Sequence, residues 1–303
     1  MCSRGVAALC ITGGLAVLMS IQHYASSPPR KRQFRGEAHQ QVEVDSSLQI
    51  LRALAPVLRT GGRAVKVRLA ADDATVPAGA KKVHFIRHGE GFHNVAQREW
   101  RERPDYDGKS EPYTLDNDPS GRYTDALLTQ AGVSQARALQ TRTQALAPQL
   151  LVVSPLRRAT QTGLLAFEPH VTSGRLPVLA HELAHERGGR HTCDKRLSRT
   201  ALAAAYPKVS YALLESEEDP LWGDGVTRES WEALARRGVG FVDWLLARPE
   251  THVAVAAHSA FLLALFNAAL EAQEDADEED ADEVGVRAWF GTGEMRTVLL
   301  TPS

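Results

Sequence analysis

The stretch Val83-His84-Phe85-Ile86-Arg87-His88-Gly89-Glu90 closes a short apolar run with an arginine, a histidine, a glycine and an acid. An apolar run of this length, bounded by polar residues, reads as a buried strand. In open α/β sheets, ligands bind just beyond the carboxyl ends of the strands. There an arginine offers a planar fork of donors for phosphoryl oxygens, and a histidine offers a nucleophile usable near neutral pH. Four residues are a short signal, and their weight depends on partners elsewhere. Two such partners follow other apolar runs: Ser154 to Arg158 after 150–153, and His258-Ser259 after 253–256.

From Lys81 onward, strand-like and helix-like patterns alternate. The strand candidates are 83–86, 150–153, 176–179, 253–256 and 297–300. The helix candidates are 129–146, 157–167, 196–205, 228–246 and 260–270. This order predicts a three-layer α/β fold, a mostly parallel central sheet with helices on both faces. In a parallel sheet, the polar sets after 86, 153 and 257 meet at one edge, in a pocket with two or three arginines and two histidines. The proline-bearing segment 99–123 reads as a loop lining or covering that pocket. Residues 64–69 alternate like an edge strand, and 48–58 has helical spacing interrupted by Pro56.

The formal net charge is −2, but the run from Glu271 to Glu283 holds nine acidic residues and no Lys or Arg. Setting those nine aside turns 35 basic against 37 acidic residues into a balance of +7, compatible with a phosphate binder. The acidic run, about 271–284, reads as a flexible solvated loop. No nucleic-acid partner is expected. Three cysteines are too few for a disulfide framework, and Cys193, alone in the body of the chain, reads as an inert thiol. Residues 6–21 are apolar and uncharged, with more positive charge after them than before. They read as a single-pass anchor with the catalytic domain on the cytoplasmic side, or as a cleaved organellar leader. The expected organisation is therefore an anchor or targeting segment over 1–22, a polar, basic linker with a short helix over 23–62, and a catalytic domain over 63–303.

Four elements occur in order: Arg87-His88-Gly89-Glu90 through Asn94, Ser154-Pro155-Leu156-Arg157-Arg158-Ala159, Glu186 with Cys193-Asp194-Lys195-Arg196 downstream, and Ala257-His258-Ser259. Together they resemble the histidine phosphatase superfamily, which includes the phosphoglycerate mutases, and the stretches 191–196, 215–222 and Trp289-Phe290 with Glu294-Met295-Arg296 look like its phosphoglycerate mutase-like branch. The resemblance implies that His88 is the nucleophile that becomes phosphohistidine. It places Arg87, Arg158 and His258 at phosphate-pocket positions, Asn94 as a polar neighbour and Glu186 as the proton donor. These roles agree with phosphoryl-transfer chemistry, which is mostly positioning and charge stabilisation. The implied activity is hydrolysis of small phosphate monoesters with no metal or other cofactor; mutase-type transfer is the alternative. The resemblance also departs at one place, because His185 stands where a basic residue such as arginine is expected before the acid. That leaves Glu182 as a competing candidate for the donor.

A rival pattern overlaps the third element. His181-Glu182-Leu183-Ala184-His185-Glu186-Arg187-Gly188-Gly189-Arg190-His191 fits the zinc-binding pattern of a metalloprotease, H-E-x-x-H-x-x-G-x-x-H. Two histidines one helical turn apart, with a third after a glycine, make a metal geometry if the segment is helical. The parallel α/β reading leaves that protease a remote alternative. Two neighbouring residues have plainer readings: Arg157 as a solvent-facing side chain and Ser259 as a helix cap.

Overall fold

The computed structural model describes residues 35–59, 64–273 and 285–303, with side chains from residue 44. A compact unit runs from Arg35 to Ser303. Its strands are β1 (Val65–Leu69), β2 (Lys81–Arg87), β3 (Leu150–Val153), β4 (Val178–Ala180), β5 (Val209–Ser210), β6 (His252–Ala257), β7 (Glu271–Ala272) and β8 (Met295–Pro302). They form one sheet in the order β5-β4-β3-β6-β2-β8-β1-β7. Every pairing is parallel except those of β8 with β2 and β1.

The helices are α1 (Arg35–Leu58), α2 (Phe92–Arg101), α3 (Gln130–Ala138), α4 (Gln140–Thr143), α5 (Arg157–Ala166), α6 (Glu168–Thr172), α7 (Arg199–Ala205), α8 (Trp231–Ala247) and α9 (Ser259–Ala264). The last runs directly into a wider turn over Leu265–Ala269. The period-two alternation of the strands sorts their side chains into two cores. Val83, Phe85, Val152, Val253 and Val255 face a cluster with Leu51, Phe241 and Phe261, whereas Ile86, Leu151, Val153, Ala254 and Ala256 face Leu139, Phe167 and Leu202. The result is the expected three-layer α/β arrangement.

Several boundaries differ from the sequence reading, each for a local reason. The stretch expected to be linker is helical from Arg35, and α1 buries Leu51 and Ala55. Pro56 falls in the last turn of α1, so it removes one donor without breaking the helix. Pro177 cannot donate to the ladder, and β4 starts one residue after it. The stretch 129–146 splits into α3, capped by the Thr129 hydroxyl, and α4. Ser198 caps α7 and Ser230 caps α8, so both helices begin later than expected. Residues 64–69 do form a strand, but β7 covers its outer side. The apolar run 6–21 lies outside the described residues, as does most of the acidic run. Among the described residues, no helix is long and apolar enough to cross a membrane.

Candidate active site

The carboxyl ends of β3, β6 and β2 lie side by side, with Val153 opposite Ala256 and Arg87 opposite Ala257. The main chain continues this register: the His88 N–H donates to the Ala257 carbonyl at 3.0 Å and the Ser154 N–H to the Ala256 carbonyl at 2.9 Å. His88 and His258 are thereby brought together, with ring centroids 5.1 Å apart. Both rings are buried.

His88 Nδ1 lies 2.7 Å from the Gly89 carbonyl, which accepts its proton and leaves Nε2 with the free lone pair. Burial holds His88 well below the ordinary histidine pKa, and the nearby charges of Arg158, His93 and Arg87 push the same way. A neutral imidazole with an available Nε2 is the nucleophilic form. The Gly89 peptide is itself fixed, since its N–H donates to Thr162 Oγ1 at 3.0 Å and that hydroxyl donates to the Arg158 carbonyl at 2.8 Å. The glycine is needed for close approach: a Cβ there would lie 2.5 Å from the Gly132 carbonyl oxygen on α3.

Two arginines surround this histidine. Arg87 donates Nη1 to the Phe290 carbonyl at 2.6 Å and stacks over Trp289 at 5.6 Å. Its pKa is pulled down to about 10, chiefly by burial. Arg158 is buried and donates Nη1 to the Cys193 carbonyl and Nη2 to Asp194, both at 2.6 Å. Burial opposes its charge, but Asp194 wins and holds its pKa above the usual value. Asp194 also takes Arg228 at 2.9 Å. Despite burial, Arg228, His191 and Arg158 hold Asp194 well below the carboxylate range.

Glu186 follows β4 and reaches the start of α9. Its Oε1 accepts from the main-chain N–H of Arg187 at 2.9 Å and of Phe261 at 3.1 Å. Its Oε2 accepts from Ala260 N–H at 3.2 Å and the Ser259 hydroxyl at 3.4 Å. Ser259 is thus the first helical residue rather than the cap, and Glu186 satisfies the exposed N–H groups that a cap would take. Glu182 points elsewhere. It pairs with Arg196 at 3.0 Å, whose fully buried guanidinium also holds the carbonyls of Leu197, Ser216, Glu217 and Glu218. Of the two acids, only Glu186 stands beside the His258 strand end.

The zinc-protease alternative is not supported. Residues Glu182–Ala184 form a single tight turn, and His185 leaves it in extended conformation. His181 packs on Trp244 at 4.2 Å, His185 Nε2 faces Asp219 at 3.2 Å, and His191 Nε2 meets Glu111 at 2.7 Å. The three rings are tied to three different partners. Gly188 also has a structural use, since a Cβ there would lie 2.1 Å from the Leu221 carbonyl oxygen. Among the described residues, His191, Cys193 and Asp194 bring metal-ligand atoms within 4.8 Å of one another. They do not fit a cation, because Asp194 already serves two guanidiniums, and burial, then Asp194, pushes the Cys193 thiol well above its ordinary pKa.

Asn94 Oδ1 accepts the Gly91 N–H at 2.9 Å and fixes the start of α2. The residue before it lies beside His88. His93 is buried, its ring centroid 5.4 Å from that of His88. Burial, then Arg158, lowers its pKa well below the usual value. Arg157 is not solvent-facing as expected: its main-chain N–H donates to Asp125 Oδ1 at 2.7 Å and its Nε to the Asp125 carbonyl at 2.9 Å. The loop expected to line the pocket supplies Tyr113, whose ring is 4.8 Å from His191 and whose carbonyl accepts the Thr192 N–H at 2.7 Å.

Neutral imidazoles and guanidiniums gathered where parallel strands end define a site for phosphoryl groups. The sequence comparison agrees. Residues 113–282 match the model of the histidine phosphatase superfamily (branch 1), and the chain belongs to that superfamily. The Arg87-His88 strand end lies ahead of the matched residues. A phosphoglycerate mutase-like protein of Arabidopsis thaliana is 32% identical over 215 residues, covering 62% of this chain and 74% of that one. Phosphoglycerate mutase-like protein 1 of the same plant is 31% identical over 217 residues, covering 62% of this chain and 71% of its own. Among solved structures, a putative alpha-ribazole-5'-P phosphatase from Escherichia coli str. K-12 aligns with 72% of this chain and 89% of its own, at 19% identity and a TM-score of 0.43.

Proposed function

We propose that this protein hydrolyses small phosphate monoesters through a phosphohistidine on His88. The observation that carries this reading is a set of buried polar atoms with no partner inside the protein, gathered around one imidazole: Arg87 Nε, Arg158 Nε, His93 Nδ1 and His258 Nδ1. Buried polar groups are ordinarily satisfied, and leaving one unmet costs roughly 1–3 kcal/mol. A phosphoryl dianion is an acceptor that answers such donors and the surrounding charge.

In the first step, His88 Nε2 attacks phosphorus, the bond from phosphorus to the ester oxygen breaks, and Glu186 gives its proton to the leaving alkoxide. In the second step, water attacks the phosphohistidine, Glu186 takes the water's proton, and the phosphorus–nitrogen bond breaks to release phosphate. Arg87, Arg158 and His258 stabilise the equatorial oxygens. Asn94, whose Oδ1 pins the start of α2, is the polar neighbour of the phosphate. The catalytic domain is assigned to 63–303, with α1 packed on it. The run 6–21 is assigned the role of anchor or targeting segment, which membrane fractionation of the full chain tests.

A screen of phosphate monoesters with wild type and His88→Ala tests the chemistry. Phosphate release should fall by at least ~10⁴-fold in the variant. Undiminished hydrolysis would sink the mechanism. Transfer between hydroxyls of a phosphoglycerate without net phosphate release would replace the hydrolase with a mutase.

A further inference from the structure

His185 is fully buried, and both of its ring nitrogens face groups that can only accept. Nδ1 lies 2.8 Å from the Glu186 carbonyl oxygen and Nε2 lies 3.2 Å from Asp219 Oδ2. Asp219 is committed as an acceptor on both oxygens, taking the main-chain N–H groups of Leu221 and Trp222 on Oδ1 and of Arg196 on Oδ2. A neutral imidazole has one N–H and could satisfy only one of the two contacts. The geometry therefore calls for an imidazolium.

We propose that His185 is a positioning residue which holds Glu186 in register for proton transfer only while its ring carries both protons. The proposal rests on the reading of Glu186 as the proton donor. The residues share a peptide bond, and the Glu186 carbonyl is gripped by His185 Nδ1 and by Arg237 Nη2 at 2.9 Å. Arg237 also holds the His185 carbonyl at 2.7 Å, and it is fixed in turn by Glu229 at 2.7 Å. Glu229 Oε2 then accepts the Gly188 N–H at 2.9 Å, on the far side of Glu186. The acid is thus clamped at its main chain, while its carboxylate rests on the first turn of α9.

The charged and titratable groups facing His185 are Asp219 from the loop before α8, Arg237 from α8 with its partner Glu229, and His258 at the end of β6. Burial disfavours the imidazolium, yet the Asp219 charge and hydrogen bond outweigh it and raise the pKa above the ordinary value. Deprotonation removes one of the two ring contacts, whichever tautomer remains. A bare lone pair then faces either Asp219 or the Glu186 carbonyl. An arginine at this position would keep its charge throughout.

The test compares two esters by kcat/KM, which reports the first, phosphorylating step. The leaving group of β-glycerophosphate is an alkoxide, which needs the proton; that of p-nitrophenyl phosphate is a stabilised phenolate, which does not. Wild type should lose β-glycerophosphate activity as pH rises past the ordinary histidine range, and His185→Arg should move that fall to higher pH. His185→Gln should lose ~10-fold on β-glycerophosphate but less than ~2-fold on p-nitrophenyl phosphate, because only the former draws on general acid catalysis. An equal loss on both esters, or a His185→Arg profile superimposed on wild type, would overturn the proposal. Should His185→Gln fail to fold, the His185→Arg profile decides alone. Glu186→Gln reports separately on the underlying reading: full β-glycerophosphate activity there removes Glu186 as the donor.

Discussion

Arg158 donates Nη2 to Asp194 Oδ1 across 2.6 Å, with side-chain exposures of only 1% and 4%. The same carboxylate holds Arg228, so one acid orients two guanidiniums at the candidate phosphate pocket. Taking away one partner of a buried pair leaves an uncompensated charge, at a cost of about 3–5 kcal/mol. Asp194→Asn should therefore lower the unfolding free energy by that amount and move the urea midpoint down with it. It should also raise KM for phosphate esters, because Arg158 loses the group that aims it. An unchanged midpoint would mean that solvent already screens this pair.

Two glycines make opposite predictions because their surroundings differ. Gly132 lies inside α3, where alanine would ordinarily gain about 0.5–1 kcal/mol. A Cβ at Gly132, however, would lie 2.1 Å from the Glu90 carbonyl oxygen, and main chain cannot move aside cheaply. Overpacking of this kind costs about 1–3 kcal/mol and should win. Gly132→Ala should then be less stable and lose kcat/KM, since the displaced loop carries the Gly89 carbonyl that orients His88. Gly238 in α8 has room, its nearest neighbour being 3.6 Å from an added Cβ. Gly238→Ala should gain the helix-propensity term. Denaturant unfolding of both variants checks the pair, and a stable, active Gly132→Ala would refute the close-approach account.

The central strands and their terminal residues were legible in the sequence because burial on both faces leaves an uninterrupted apolar run. That pattern exposed β2, β3 and β6, and with them Arg87, His88, Arg158 and His258. Helix α2 was not legible, since it buries only His93 and Ala96 and its N-cap is a glycine with no capping side chain. With α2 unseen, nothing pointed to His93 as a residue beside His88. The pairings of Arg228, Asp219 and Arg237 escaped for another reason. Their partners Asp194, His185 and Glu186 are distant in sequence, and no local periodicity records such a pairing. The histidine spacing of 181–191 was equally visible but misleading, because the metal geometry requires a helix and the chain makes a single turn there.

The opposite end of the sheet carries a pH-dependent contact. His84 on β2 and His252 on β6 face each other with their Nε2 atoms 2.5 Å apart. His84 Nδ1 lies 2.8 Å from the Thr297 hydroxyl, which donates to Asp72, so His84 carries its proton on Nδ1 and presents a lone pair to His252. Asp72 is held in place by Arg142 at 2.8 Å. Burial lowers the pKa of His84 to about 3, with His252 and the nearby cations Lys82 and Arg142 adding to the effect. Burial and Lys82 lower that of His252 to about 4. In the unfolded chain both return to about 6.5. Both pKa values are depressed on folding, so the unfolded state binds more protons once the pH drops below about 6.5. The contribution to stability is then complete above that pH and lost as pH falls through about 4 and about 3. Urea unfolding between pH 7 and pH 4 should show a falling midpoint. His252→Gln, whose amide can donate to the His84 lone pair, should shrink the pH slope by about one proton. The remaining slope includes His84, His88, His93, His181 and His258, whose pKa values are depressed in the same direction. A His252→Gln slope equal to that of wild type would show that the 2.5 Å pair does not resist protonation.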